Sequence, residues 1–101
     1  MMTIHKTIQN GVLILEPEGR LNSQSAPALE AAVDESINDA DSVIFDFTKV
    51  EYLSSAGLRI LLTTQQTMED KGLPDVTVRG ADPGILEVFR VTGFDSVLNI
   101  E

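Results

Sequence analysis

Residues 43–59 read VIFDFTKVEYLSSAGLR and join an apolar run to a helical pattern. The run at 43–47 is short and almost continuously apolar, which predicts a central parallel strand covered on both faces. Residues 49–53 are expected to form a connection, and Ser54 with Ser55 then signals the start of a helix. The helical spacing continues at Leu58, Leu61, Leu62, Gln65 and Met68, and Gly72 and Pro74 end the helix.

The segment before this stretch predicts a hairpin and a helix. Residues 3–8 and 12–15 have strand patterns, and Asn10-Gly11 between them is a dipeptide that tolerates positive φ. Pro27 suits a first helical turn, and apolar residues then return every three or four positions, so a helix is expected over about 26–39. The chain therefore opens with two antiparallel strands followed by a helix.

The segment after it predicts a strand, a helix and an edge strand. Residues 76–78 form a short strand pattern, Asp82-Pro83 suits the start of a helix that Gly93 closes, and residues 97–100 suit a final edge strand. The expected order is β-β-α-β-α-β-α-β, in one α/β domain over residues 1–101 with a mixed sheet. Right-handed crossovers should make the strands after the hairpin parallel.

The chain has 101 residues, no cysteine and a formal net charge of -9. Without cysteine, disulfides, thiolate catalysis and Cys-based zinc or iron–sulfur sites are excluded. The 7 basic residues are spread singly, so no basic patch is available for direct contact with nucleic acid or an anionic membrane. The sequence shows neither an apolar signal segment nor a membrane-spanning run. We therefore expect a soluble cytoplasmic protein, either a monomer or a weak dimer.

Residue types that would carry catalysis are sparse. His5 is the sole histidine, which removes Ser-His-Asp chemistry and a His-based metal site. The sequence also lacks a phosphate loop of the Walker or Gly-x-Gly-x-x-Gly type. It therefore predicts a protein that is not an enzyme and that has no cofactor or metal site.

Asp46, near the carboxyl end of the apolar strand, allows two interpretations. Open α/β sheets usually place their sites at this end of the strands, and a carboxylate there resembles the phosphoacceptor of receiver domains. Receiver domains need further acidic residues after their first strand and a late lysine, and here no lysine follows Lys71. The favoured interpretation is that Asp46 accepts hydrogen bonds from a neighbouring loop or cap.

Ser54 and Ser55 also allow two interpretations. A serine at a helix start can accept a hydrogen bond from a free backbone N–H, and this capping role is the favoured interpretation. The free N–H groups and the positive end of the helix dipole also suit a phosphate. Ala56 and Gly57 are expected to keep the approach open to a partner. An exposed serine at this place is a candidate switch.

Four segments resemble STAS domains of the anti-sigma factor antagonist type. They are DFTKVEYL at 46–53, SSAGLR at 54–59, GRLN at 19–22 leading to SAP at 25–27, and FRVTGF at 89–94. The resemblance covers nearly the whole chain. It implies a phosphorylation-switched binding protein that sequesters a serine-kinase anti-sigma factor and so frees a sigma factor. A metal-dependent serine phosphatase would restore the binding form.

By position in the family signature, the resemblance implies Ser55 as the phosphorylation site, with Ser54 as second choice. The partner-binding residues that it implies are Asn22, Ser54, Ser55, Ala56, Gly57, Leu58 and Arg59. One alternative is a STAS module of another assembly, such as a lipid-transport complex or a stress-signalling scaffold, which docks without phosphorylation. A second alternative is a receiver-like phosphotransfer or nucleotide-binding protein that uses Asp46 or the helix start directly.

Overall fold

The computed structural model describes residues 2–101, so the first residue of the expected 1–101 domain lies outside it. Within that range the chain forms the predicted α/β architecture, with three α-helices and six strands, one strand more than the expected order. The strands are β1 (Thr3–Gln9), β2 (Val12–Leu21), β3 (Ser42–Asp46), β4 (Val50–Leu53), β5 (Thr77–Arg79) and β6 (Asn99–Ile100). The helices are α1 (Ala26–Asp34), α2 (Ser55–Asp70) and α3 (Pro83–Thr92).

One mixed sheet has the strand order β1-β2-β3-β5-β6. β1 and β2 are antiparallel and are joined at Asn10 and Gly11, whose φ angles are 54° and 80°. The β2–β3, β3–β5 and β5–β6 pairs are parallel. The expected hairpin and the parallel pairing of the later strands are thus confirmed. The edge strand is shorter than expected. The N–H groups of Val97 and Leu98 donate to the carbonyl of Phe94 at 3.0 and 2.8 Å, so only Asn99–Ile100 pair with β5.

The connection expected at residues 49–53 contains a strand. β4 lies parallel to the last part of β2, with Arg20 opposite Tyr52. Val50 and Leu53 are buried while the two residues between them are exposed, so the segment lacks the period-2 pattern of a half-buried strand. The pairing is possible because β2 is 10 residues long, with its first part beside β3 and its last part beside β4.

The core lies on one face of the sheet. There Leu13 and Phe45 meet apolar residues of all three helices. The expectation that the strand at 43–47 is covered on both faces is wrong, because burial alternates along β3 and Ile44 is only half-buried. Ile44 lies beside Ile14 of β2 on the outer face. The run reads as continuous because this outer face also carries apolar residues, which shield one another across the strands.

Helix α1 ends earlier than the predicted span of 26–39. After it, the N–H of Ser36 donates to the carbonyl of Val33 at 3.1 Å, and this i→i−3 pattern tightens the chain into a 3₁₀ turn over Ile37–Asp39. The turn still directs the buried Ile37 into the core. Apolar spacing persists through such a turn, and the periodicity therefore overestimates the length of the α-helix.

The boundaries of the two later helices agree with their sequence signals. Gly72 and Gly93 follow α2 and α3 with φ angles of 68° and 80°, in the left-handed region. Asp82 caps α3, since its side chain accepts the N–H of Ile85 at 2.8 Å, and Pro83 occupies the first turn. Each helix among residues 2–101 is too short or too polar to cross a membrane.

Candidate binding site at the start of helix α2

The ends of β2 and β4 bring two loops side by side. The N–H of Ser54, directly after β4, donates to the carbonyl of Leu21, the last residue of β2, at 2.9 Å. Asn22 follows Leu21, so the turn before α1 lies next to the first residues of α2. The two separate parts of the sequence-predicted site, Asn22 and residues 54–59, are therefore neighbours in the fold.

Asn22 builds the turn that leads into α1. Its Oδ1 accepts hydrogen bonds from the N–H groups of Gln24 and Ser25 at 3.0 and 3.1 Å. The Ser25 hydroxyl accepts from the N–H of Asn22 at 2.9 Å and donates to the carbonyl of Arg20 at 2.7 Å. The Asn22 side chain therefore holds the shape of this loop, and it contributes to the surface mainly through that shape.

Arg20 and Tyr52 lie beside these loops and form a contact that the sequence did not reveal. The guanidinium carbon of Arg20 lies 4.2 Å from the centre of the Tyr52 ring, a cation–π geometry. Tyr52 is 42% exposed, so this pair enlarges the surface next to the site. The contact follows from the register between β2 and β4, which places Arg20 opposite Tyr52. This register cannot be predicted when residues 49–53 are assigned to a connection.

Ser54 and Ser55 differ in the placement of their hydroxyl groups. Ser54 occupies the N-cap position of α2, yet its side chain makes no capping hydrogen bond. Its Oγ is buried and has no hydrogen-bond partner among residues 2–101. The interpretation of Ser54 as a side-chain cap is wrong, because the hydroxyl is turned into the protein. Ser55 is the first residue of α2 and is exposed.

The first turn of α2 presents backbone donors. Residues 55–57 precede the first helical hydrogen bond, which runs from the N–H of Leu58 to the carbonyl of Ser54 at 3.0 Å. The turn contains no acidic residue, so the positive end of the helix dipole is not offset within it. This end of α2 therefore favours an anion or the acceptor groups of a partner.

Gly57 is required for packing. It is buried, and a Cβ at this position would lie 2.6 Å from Cδ1 of Leu53 and 2.7 Å from Cγ of Leu21. The missing side chain thus allows α2 to sit close to the ends of β2 and β4. Gly57 thus has a packing role that the sequence did not reveal, and its expected contact with a partner stays a prediction.

Two of the remaining residues of this segment are exposed. Ala56 and Leu58 are half-buried and pack against the core, whereas Ser55 and Arg59 face solvent. Arg59 Nη1 lies 3.3 Å from Oε2 of Glu30 on α1. The sequence did not reveal this pair, because a contact between two helices cannot be inferred from the periodicity of either one.

Asp46 is held by its neighbours at the end of β3. Its Oδ1 accepts from the N–H and the hydroxyl of Thr48 at 3.0 and 2.5 Å, and its Oδ2 accepts from Nε of Arg79 at 3.2 Å. Burial opposes ionisation, but these hydrogen bonds and the Arg79 charge outweigh it, so the pKa of Asp46 lies below its ordinary value. The interpretation that Asp46 binds a neighbouring loop is confirmed.

A curated relative and a protein-family model both match nearly the whole chain. The candidate anti-sigma factor antagonist BtrV of Bordetella bronchiseptica is 32% identical over 93 residues, which are 90% of this chain and 78% of BtrV. The family model of the STAS domain matches residues 3–101. The chain belongs to the STAS domain family. The resemblance carried by residues 46–59 and the other signature segments is thereby confirmed.

Two solved structures have the fold of this STAS domain. An anti-sigma factor antagonist from Mycobacterium paratuberculosis superposes with a TM-score of 0.83 at 26% identity, covering 99% of this chain and 85% of the other. A candidate anti-sigma factor antagonist from Thermotoga maritima superposes with a TM-score of 0.87 at 21% identity, covering 96% and 84%. This STAS domain thus has the fold of both of these proteins.

Proposed function

We propose that this STAS domain is a phosphorylation-switched binding protein. It binds a serine-kinase anti-sigma factor through the surface at the start of α2 and so frees a sigma factor. Phosphorylation of Ser55 by that kinase breaks the complex, and a metal-dependent serine phosphatase restores the binding form. The names of the relatives support the antagonist role, and the geometry of the two serines supports the choice of residue.

The contrast between Ser54 and Ser55 carries this proposal. A kinase must bring ATP to the hydroxyl that it modifies, and the hydroxyl of Ser54 is buried. Ser55 is exposed at the first position of α2. This difference supports Ser55 as the acceptor ahead of Ser54. Asn22 and Arg59, which lie on either side, extend the surface that a partner would contact.

A phosphate on Ser55 is a large enough change to release a partner. It adds about -1.5 to -2 charges. Each unit like-charge pair at a distance of about 8 Å costs roughly 0.5 kcal/mol in water and roughly 2 kcal/mol at an effective dielectric constant of about 20. One acidic group on the partner therefore opposes binding by roughly 1–4 kcal/mol, a weakening of Kd by about 5- to 1000-fold.

Phosphorylation is tested with the cognate serine-kinase anti-sigma factor and ATP, followed by mass spectrometry of the modified peptide. We expect one phosphate on Ser55. Ser55→Ala should abolish the modification, whereas Ser54→Ala, the matched control one residue away, should retain it. A protein that receives no phosphate at either position from the cognate kinase would contradict the switch.

Release is tested by measuring the Kd for the same kinase by calorimetry. Ser55→Asp should weaken binding because it adds negative charge to the first turn of α2, and Ser55→Ala should bind like the unmodified protein. Gln66→Glu is the charge control, because Gln66 is an exposed residue of the same helix three turns away. Equal Kd values for Ser55→Asp and Gln66→Glu would exclude release by local charge and would favour a module that docks without phosphorylation.

A further inference from the structure

Ser55 and Arg59 lie on the same face of α2. They are four residues apart, a spacing that puts Cβ atoms about 5–6 Å from each other on a helix. Side chains on a helix tend to lean toward its N-terminus, a direction that puts Ser55 within reach of the long side chain of Arg59. Both residues are exposed, and the first turn of α2 contains no acidic side chain that would compete for the guanidinium.

The unphosphorylated protein holds Arg59 by a weak contact. The 3.3 Å between Arg59 Nη1 and Glu30 Oε2 is long for a charge-assisted hydrogen bond. The two side chains are 58% and 41% exposed, and exposed ion pairs of this kind contribute little stability. A guanidinium has five N–H donors in a planar fork, and this contact engages one of its nitrogens. The other donors are available to a stronger anion.

We propose that Arg59 is the internal counter-ion of phosphorylated Ser55. This inference rests on the proposed function, because it takes Ser55 as the modified residue. A phosphate has about -1.5 to -2 charges and three acceptor oxygens, against the single charge of Glu30, so it draws the guanidinium away from α1. The surface then changes twice. It gains negative charge at residue 55, and the positive charge at residue 59 is masked.

Because Arg59 is masked, phosphorylation weakens partner binding in two ways. In the unphosphorylated protein Arg59 is an exposed cation beside the start of α2, where it attracts acidic groups of a partner. In the phosphorylated protein the same guanidinium is engaged by the phosphate. A partner that contacts both positions therefore meets a repulsive group and loses an attractive one.

The test measures the second ionisation of a phosphate at residue 55. Phosphoserine is incorporated there during translation with a suppressor tRNA, so no kinase is needed, and ³¹P NMR follows the pH titration. A neighbouring guanidinium stabilises the dianion, so we expect the pKa of the phosphate to lie below the usual value of about 6. Arg59→Gln should raise this pKa by about 0.3–0.8. Arg59→Lys, which keeps the charge without the planar fork, should raise it less.

Arg90→Gln is the matched control, because Arg90 is an exposed arginine of α3 whose partner is Glu87. It should leave the phosphate pKa unchanged. The dipole of α2 acts on the phosphate in every background, so the difference between Arg59→Gln and the unsubstituted protein reports the guanidinium alone. Equal phosphate pKa values in those two backgrounds would overturn the proposal.

Glu30→Gln provides a second test that leaves Arg59 in place. It frees the guanidinium and removes a negative neighbour, so the phosphate pKa should fall further. A rise or no change would contradict the transfer of Arg59 from Glu30 to the phosphate. The outcome is also separable from that of the proposed function. If the phosphate responds to Arg59 while the cognate kinase leaves Ser55 unmodified, the switch is contradicted and the counter-ion role stands.

Discussion

The starts of α2 and α3 have the same backbone geometry and opposite hydrogen bonding. The N-cap residues are both extended, with φ and ψ of -95° and 175° at Ser54 and of -70° and 167° at Asp82. Asp82 accepts the N–H of Ile85 at 2.8 Å, whereas the side chain of Ser54 accepts no N–H of α2. One helix start is closed by its own side chain, and the other is open.

This difference leaves the first-turn N–H groups of α2 without a side-chain cap, at the surface that we propose for binding. A side-chain cap contributes about 1 kcal/mol to stability, so α2 lacks a contribution that α3 has. Packing compensates for it, because Ile60, Leu61 and Met68 of α2 are all buried in the core. The stability of α2 thus comes from its buried face, and the N–H groups of its first turn stay without a cap from Ser54.

The largest expected effect comes from disturbing this packing through Gly57→Ala. The new Cβ would lie 2.7 Å from Leu21 Cγ. Overpacking costs about 1–3 kcal/mol and helix propensity returns up to about 1 kcal/mol. We therefore expect the free energy of unfolding in urea to fall by about 1–2 kcal/mol. Gly84→Ala in α3 is the control, because its Cβ meets only Asp82 Oδ1, at 3.3 Å. Equal losses in the two variants would contradict the packing argument.

A smaller effect is expected from opening the start of α3 with Asp82→Ala. The substitution removes the acceptor of the Ile85 N–H, so the free energy of unfolding should fall by about 1 kcal/mol. Hydrogen exchange at the Ile85 amide should accelerate at the same time. Asp95→Ala is the control, since Asp95 is exposed and lies just beyond α3. An unchanged free energy of unfolding would show that the Asp82 cap does not stabilise α3.

Ser54→Asp is designed to give α2 the side-chain cap that Asp82 gives α3. A carboxylate at this extended N-cap can accept a first-turn N–H and also offsets the helix dipole, so we expect stability to rise by about 0.5–1 kcal/mol. Thermal unfolding monitored by circular dichroism measures the change. A loss of stability would show that the buried position of the Ser54 hydroxyl cannot accept the larger group.

The smallest effect is expected from Ser54→Ala. The Ser54 hydroxyl is buried without a partner, so its removal takes away no hydrogen bond and relieves an unsatisfied polar group. Urea denaturation should show a change within about 0.5 kcal/mol of the wild type or a gain in stability. A loss of about 1 kcal/mol, the size expected for a capping serine, would restore the capping interpretation.

Local signals in the sequence are sufficient for much of this fold. The Asn10-Gly11 turn, the Asp82 cap and the helix ends at Gly72 and Gly93 all depend on residues within a few positions of one another, and each is confirmed. Such signals can be read directly because the chain alone brings the interacting groups together.

Features that depend on contacts across the fold could not be predicted in this way. β4 exists because β2 extends far enough to pair with it, and the contact between Arg20 and Tyr52 follows from that register. The burial of Gly57 and the inward hydroxyl of Ser54 likewise depend on how α2 is seated. The family resemblance located the segment at 54–59, and the three-dimensional packing separates its exposed members from its buried ones.

The hydrogen bond from Ser54 to Leu21 joins the two loops of the proposed binding surface before any partner arrives. Because the loop at Asn22 and the start of α2 are already fixed to each other, most of the ordering entropy of this surface has been lost during folding. Docking then requires little backbone rearrangement. The switch that we propose would act through charge and leave the backbone shape intact, so dephosphorylation alone would return the domain to its binding form.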